Sequence, residues 1–237
     1  MCTVTYIPKP SDKGFMLTSN RDEQTTRKKA LAPRIHYIQG KKLYFPKDGE
    51  ANGTWICHSE TGYTLCLLNG KGVGKAPFRH SRGLILIDFF KFDGLHSFLQ
   101  QYNFDQLAPF KLIVISHKEA IVVNEINWDG RSIKKTTHNS LLSQIWSSDQ
   151  LYDTGIRKKR EQWFAEWIES KVQINTQEIV YFHTNAGEGN IESNLVMKKG
   201  DFLQTLSVTS ILHNFDNTCI FYKDLLSEKE SHVRIFK

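Results

Sequence analysis

Short alternating segments fill the first third of the chain: CTVTYI, FMLTSNRD, KLYFP, TWICHS and YTLCLLN, each bounded by Gly, Pro or Asp. Period-two alternation between turn formers is the pattern of half-buried strands. The first two segments are joined by PKPSDKG, residues 8–14, which must send the chain back on itself. In an antiparallel hairpin, opposed residue numbers have a constant sum. A reversal centred between about residues 11 and 12.5 sets Cys2 against Asn20, Arg21, Asp22 or Glu23. A charged tetrapeptide therefore lands beside the second residue of the chain.

Further along, RGLILIDFFKF and DGLHSFLQQYN carry helical spacing, with Leu95, Phe98, Leu99 and Tyr102 on one stripe. Strands resume at FKLIVIS, EAIVVNEIN and SIKKTTH, with hairpin turns at HKE and WDGR. A helix is predicted over 157–172, with Trp163, Trp167 and Ile168 facing the core. EIVYFHT, LQTLSVTSILH, TCIFYKD and HVRIF then read as strands. Strands, helices, strands, a helix and strands again make an α+β chain with antiparallel sheets. No repeat, low-complexity stretch or linker divides it, so residues 1–237 are expected to form a single domain.

Composition narrows the function. No apolar run reaches the roughly 18–20 residues of a membrane span, since Asp88 and Lys91 interrupt GLILIDFFKF. The N-terminus lacks the layout of a signal peptide, so a cytoplasmic protein is expected. There Cys2, Cys57, Cys66 and Cys219 are expected as free thiols and the sequon at Asn52 as unmodified. The net charge of +6 comes from short scattered clusters rather than a basic block, so no nucleic-acid partner is expected. The densest cluster, Arg157–Arg160, reads as a solvated helix start, while the mild positive charge favours anionic ligands.

Two motifs lack the spacing their chemistry needs. NGKGVGKAP has three residues between Gly70 and Gly74-Lys75 and then Ala76, where a phosphate loop has four and then Ser or Thr. Cys57-His58 and His80 have no partners at zinc spacing, and adjacent strand residues face opposite ways. No metal or other cofactor is expected. A lone Cys or His could still ligate haem iron.

The meeting of Cys2 with the NRDE segment admits two readings. One is a surface hairpin with a solvated charge cluster. In the other, removal of Met1 gives Cys2 a free α-amine beside its thiol, and an amine with an ordinary pKa of about 7.7–8.0 can act as the thiol's general base. A retained Met1 would acylate that amine and remove the base. A nearby carboxylate would orient the pair, and a guanidinium would hold an anionic substrate or lower the thiol pKa.

MCT, SNRDEQ, NGTWI, LLNG and SRGLILIDFF, in this order and spacing, resemble the NRDE family, also called the transport-and-Golgi-organisation-2 family. The resemblance covers most of the chain and is clearest through about residue 90. It implies the αββα sandwich of N-terminal-nucleophile hydrolases, similar to the cysteine branch that cleaves linear amides. Carried over, Cys2 is the nucleophile, Asp22 the carboxylate that orients it, and Asn69 an oxyanion donor. Asn20, Arg21 and Ser148 fall on substrate-binding positions. Three departures accompany this: Ser19 stands where the hydrolases carry Arg, Ser148 where the family has a second active-site Asn, and Leu206 where it has Arg in TRS. The expected partner is a small molecule: a linear amide for a hydrolase or acyltransferase, or haem or a lipid-like anion for a non-catalytic carrier on the same fold.

Overall fold

A computed structural model describes residues 3–73 and 77–236. The chain resolves into two compact units, one made of Met1–Arg27 with Leu141–Lys237, the other of Lys28–Ser140. Both are built on antiparallel sheets, as the α+β pattern requires.

In the first unit, β1 (Thr3–Lys9) and β2 (Gly14–Gln24) form the opening hairpin, reversed by a short 3₁₀ turn at Pro10–Asp12. Lys13 closes the turn in the left-handed region and donates its N–H to the Pro10 carbonyl at 3.1 Å. Thr3 pairs with Asn20 and Lys9 with Gly14, so opposed numbers sum to 23, within the range predicted from the turn alone. The sheet continues with β12 (Leu203–His213), β13 (Asn217–Asp224) and β14 (Glu230–Phe236) on one side and β10 (Gln144–Ser147) on the other. The two-residue β11 (Lys198–Lys199) pairs with β12. At the centre, β2 and β12 run together for ten residue pairs, broken only where Leu206 bulges between Thr205, opposite Asp22, and Ser207, opposite Arg21.

Two helices cover one face of this sheet. Asp153 caps α3 (Thr154–Glu169), its carboxylate accepting from the Ile156 N–H. Asn175 and Glu178 form a reciprocal capping box at the start of α4 (Thr176–Asn185). Ile179, Phe182 and Phe164 then pack on Ile7, Met16 and Leu195, with Trp163, Trp167 and Ile168 against the same cluster. The stretch EIVYFHT is therefore helix, not the strand its Ile, Val and Tyr predict. Its capping box and the i, i+3, i+4 placement of Ile179, Phe182 and His183 outweigh a modest β preference.

The second unit is a meander of β3 (Leu31–Ile38), β4 (Lys41–Lys47), β5 (Ile56–Ser59), β6 (Tyr63–Asn69), β7 (Phe110–Ser116), β8 (Val122–Trp128) and β9 (Ile133–His138), neighbours in sequence being neighbours in space. Helices α1 (Gly83–Phe89) and α2 (Leu95–Gln101) pack Phe89 and Phe98 together, with Tyr63 edge-on to Phe89. NGTWI and SRGLIL are joined physically. Thr54 N–H donates to the Gly83 carbonyl at 3.0 Å, and a Cβ on Gly53 would stand 2.4 Å from the Gly83 backbone.

No helix among the described residues is long and apolar enough to cross a membrane.

The hairpin closes equally tightly on β12. A Cβ on Gly14 would lie 2.0 Å from the His213 carbonyl oxygen, a backbone atom that cannot rotate away. Gly14→Ala is expected to lower unfolding free energy by about 1–3 kcal/mol, read from urea denaturation midpoints. An unchanged midpoint would show that β12 gives way freely at this point.

Candidate active site

The start of β1 is held from both sides. Thr3 pairs with Asn20 on β2 and with Ser147 on β10, so Arg21 and Ser148 are the next residues outward on the two flanking strands. Cys2 precedes Thr3 in sequence and lies outside the described residues.

Alternation along β2 sends Asn20 and Asp22 to the helix-covered face and Arg21 to the other. Asp22 is 2% exposed. Its Oδ2 accepts from the Tyr152 hydroxyl at 2.6 Å and its Oδ1 from the Thr205 hydroxyl at 2.6 Å. Two short hydroxyl bonds to different oxygens hold the carboxylate's plane as well as its position. Asn20 is turned to the same face, and its amide is occupied there. Its Nδ2 donates to the carbonyls of His183 and Leu195, and its Oδ1 accepts from His183 Nδ1. This side chain ties β2 to α4 and to the 186–197 segment rather than reaching outward.

Arg160 is the residue that sequence reasoning misplaces. The RKKR cluster reads as a solvated helix start, yet Arg160 is 0% exposed. Helix α3 begins at Thr154, earlier than the predicted 157, and this phase points Arg160 at the sheet. Its Nη1 donates to Thr3 Oγ1 at 2.6 Å, its Nη2 to the carbonyls of Asn194 and Ser193, and its Nε to Ser193. The guanidinium also stacks 3.7 Å from the centroid of the Tyr152 ring. Tyr152 thus stands between a buried cation and a buried carboxylate, with its ring on one and its hydroxyl on the other. A polar network at Thr3, adjacent to the predicted nucleophile, is the signal that marks these residues, and it exists only in three dimensions.

On the opposite face Arg21 is also buried, across the ladder from Ser207. Burial raises the pKa of the nearby Tyr222 hydroxyl, and the positive charge of Arg21 pulls against that rise. Ser148 is fully buried, its carbonyl accepting from the Tyr152 N–H at 3.3 Å. Leu206, 7% exposed, is the bulged residue of β12 between the partners of Asp22 and Arg21. Asn69 belongs to the second unit, where it closes β6 opposite Phe110 and, by alternation, on the face of Leu65 and Leu67.

Other candidates resolve differently. Cys57 is fully buried, and burial raises its thiol pKa well above the ordinary value. His58 finds a neighbour that its sequence spacing does not reveal. His117 stacks on it with ring centroids 5.2 Å apart, and both bond to the Thr64 hydroxyl. A cleft of about 1210 Å³ runs between α4 and β13–β14, past Val180, Tyr181, Phe221 and Arg234, and no candidate site residue lines it.

His183 completes the network, with Nε2 2.8 Å from Thr5 Oγ1. Burial first, and the charge of Arg160 second, lower its pKa to about 3. The imidazole is therefore neutral in the fold across ordinary pH. Because the folded pKa lies below the ordinary 6.5, the unfolded chain binds the extra proton between those values. Stability present above pH 6.5 is expected to be lost as pH falls towards 3, with a slope approaching one proton, about 1.4 kcal/mol per pH unit. Urea unfolding from pH 7 to 4 would show it, and His183→Gln should flatten the dependence. An equal slope in both proteins would assign the acid sensitivity to other groups.

Comparison with known proteins places this geometry. No curated protein sequence matches the chain at a significant level. Among solved structures, a Caenorhabditis elegans N-acylethanolamine-hydrolysing acid amidase ortholog superposes with a TM-score of 0.60 at 14% identity, over 89% of this chain and 92% of that one. A mutant of the conjugated bile acid hydrolase from Clostridium perfringens gives 0.56 at 9% identity, over 98% and 96%. Another variant of that hydrolase gives 0.53 at 7% identity, over 98% and 92%. These are N-terminal-nucleophile hydrolases, and the likeness shows that this chain shares their fold. The profile of one family, Transport and Golgi organisation 2, matches residues 1–212, and the chain belongs to that family.

Proposed function

We propose that this protein is an N-terminal-cysteine amidohydrolase or acyltransferase acting on a small linear amide. The observation that carries the reading is the Arg160–Tyr152–Asp22 arrangement at the start of β1, with Arg160 bonded to Thr3, the residue after Cys2. Burying a cation and a carboxylate this way costs several kcal/mol per ion before compensation. A strand that only packs against helices has no need of it. The fold shared with an acid amidase and a bile acid hydrolase agrees with hydrolytic chemistry.

In this reading Met1 is removed and the free amine of Cys2 takes the thiol proton. The thiolate attacks the amide carbonyl carbon, forming a C–S bond while the carbonyl electrons move to oxygen. N–H donors stabilise that oxyanion, the role that the family resemblance gives to Asn69. The ammonium of Cys2 then gives its proton to the leaving nitrogen, the C–N bond breaks, and a thioester remains. Water, or an acceptor amine in acyl transfer, attacks the thioester and restores the thiol. Asp22 orients the amine and thiol, and Arg21 and Ser148, on the strands flanking Thr3, meet the polar end of the substrate. Asn20 acts by holding β2 in place.

A second reading, a non-catalytic carrier of haem or of a lipid-like anion, draws on Leu206. This apolar side chain is buried at the bulge beside Asp22, where the family pattern has a guanidinium.

The two readings part at the thiol. In protein made in its native host, intact mass is expected to show loss of Met1. Iodoacetamide at neutral pH is expected to label Cys2 ahead of Cys57 and Cys66, both of which are fully buried. Asp22→Asn should slow that labelling about tenfold, less than the roughly 10²–10⁴-fold that a general base itself contributes, because Asp22 orients the base rather than taking the proton. Retained Met1 with an unreactive Cys2 would favour the carrier. Tyr152→Phe, which keeps the ring under Arg160 and removes only the hydroxyl, should slow labelling by a smaller factor than Asp22→Asn. An effect as large as that of Asp22→Asn would mean that the hydroxyl does more than orient the carboxylate.

A further inference from the structure

The sheets of the two units expose several strand edges, and all but one carry a device that discourages pairing with another chain. Strand β10 has four residues and β11 two. Strand β3 contains Pro33 and shifts register between Leu31 and Arg34. Strand β9 has consecutive lysines, Lys134 and Lys135, one on each face. Strand β14 differs. It is seven residues long, has no proline, and pairs with β13 through seven successive partners with no bulge. No strand among the described residues pairs with its other side.

The charges of β14 also differ in kind from those of β9. Glu230, His232 and Arg234 lie at period two and so share one face. An antiparallel partner of the same sequence, centred on His232, sets Glu230 opposite Arg234 twice, once on each side of the two-fold axis. On the other face Ser231 opposes Val233. Opposite charges directly across a ladder stabilise it, and like charges destabilise it. Glu230 already shares Lys223 with Glu228, at 3.3 and 3.2 Å, whereas Arg234 has no ion-pair partner among the described residues and lies only over the Phe236 ring. The strand is thus complementary to itself rather than repulsive.

We infer that β14 is an assembly edge for a second copy of this chain, the two sheets joining antiparallel through an isologous β14–β14 contact with Glu230–Arg234 pairs across it. The inference is independent of the proposed chemistry, because none of the residues assigned to that chemistry lies on β14.

Sedimentation velocity of the full chain tests it, from about 1 to 200 µM, a range wide enough to catch the modest affinity of a small edge contact. The wild type is expected to move from monomer to dimer across this range. Arg234→Glu sets Glu against Glu twice and should weaken the dimer at least about tenfold. The charge swap Glu230→Arg with Arg234→Glu restores opposite charges and should recover most of the wild-type dimer. Thermal melts of each variant separate loss of association from loss of fold. A wild type that stays monomeric throughout would overturn the inference. So would a dimer that Arg234→Glu leaves intact, or one that the single variant abolishes and the swap does not restore.

Discussion

A guanidinium shut away from water must find an acceptor for its N–H groups and a charge to balance its own. Arg160 meets the first demand with the carbonyls of Ser193 and Asn194 and the hydroxyl of Thr3. It meets the second through Tyr152, whose ring it stacks on and whose hydroxyl reaches Asp22. Much of the first unit depends on this. The phase of α3, the path of the 186–197 segment and the position of the first strand are tied together by one side chain. His183 remains neutral beside this cation, bonded to Thr5 and Asn20, so α4 is fastened to the same two strands.

The central pairing of β2 with β12 carries the site's asymmetry. The bulge at Leu206 sets Thr205 opposite Asp22 and Ser207 opposite Arg21. A hydroxyl is thereby delivered to the carboxylate, while an apolar residue occupies the extra position. A bulge re-aims the side chains around it, and here it separates the environments of two adjacent charged residues. Asp22 is bound by hydroxyls on the helix-covered face, and Arg21 is buried on the other. The residues of NRDE thus divide between the two faces: Asn20 and Asp22 are held on the helix-covered one, and Arg21 is buried on the other.

The second unit shows the same economy in its motifs. NGTWI and SRGLIL are thirty residues apart, and the glycines at 53 and 83 let their backbones touch. In this chain they form one docking contact between a turn and the start of α1. Shape, rather than chemistry, keeps these residues together. Asn69, one strand further on, closes β6 on the same meander.

Most strands of both sheets and the α+β class were legible from period-two alternation and turn formers, because those signals are local, whereas β3, with Pro33 and a register shift, and the short β10 and β11 gave no such pattern. The length of PKPSDKG narrowed the register to a few values, and the 3₁₀ turn at Pro10–Asp12 selects the one in which opposed numbers sum to 23. Local signals failed where two of them competed. EIVYFHT has strand composition, but its capping box and apolar spacing made it helix once Phe182 and Ile179 could pack on β1 and β2. Arg160 was out of reach for a deeper reason. In sequence it is one of four basic residues at a helix start, and only the phase of α3 against the sheet decides which of them loses its water. The carbonyls that satisfy it come from residues 193 and 194, more than thirty positions away. Alternation could place Asp22 and Arg21 on opposite faces, but the partners waiting on each face are brought there by β12, α3 and α4, and only the folded chain assembles them.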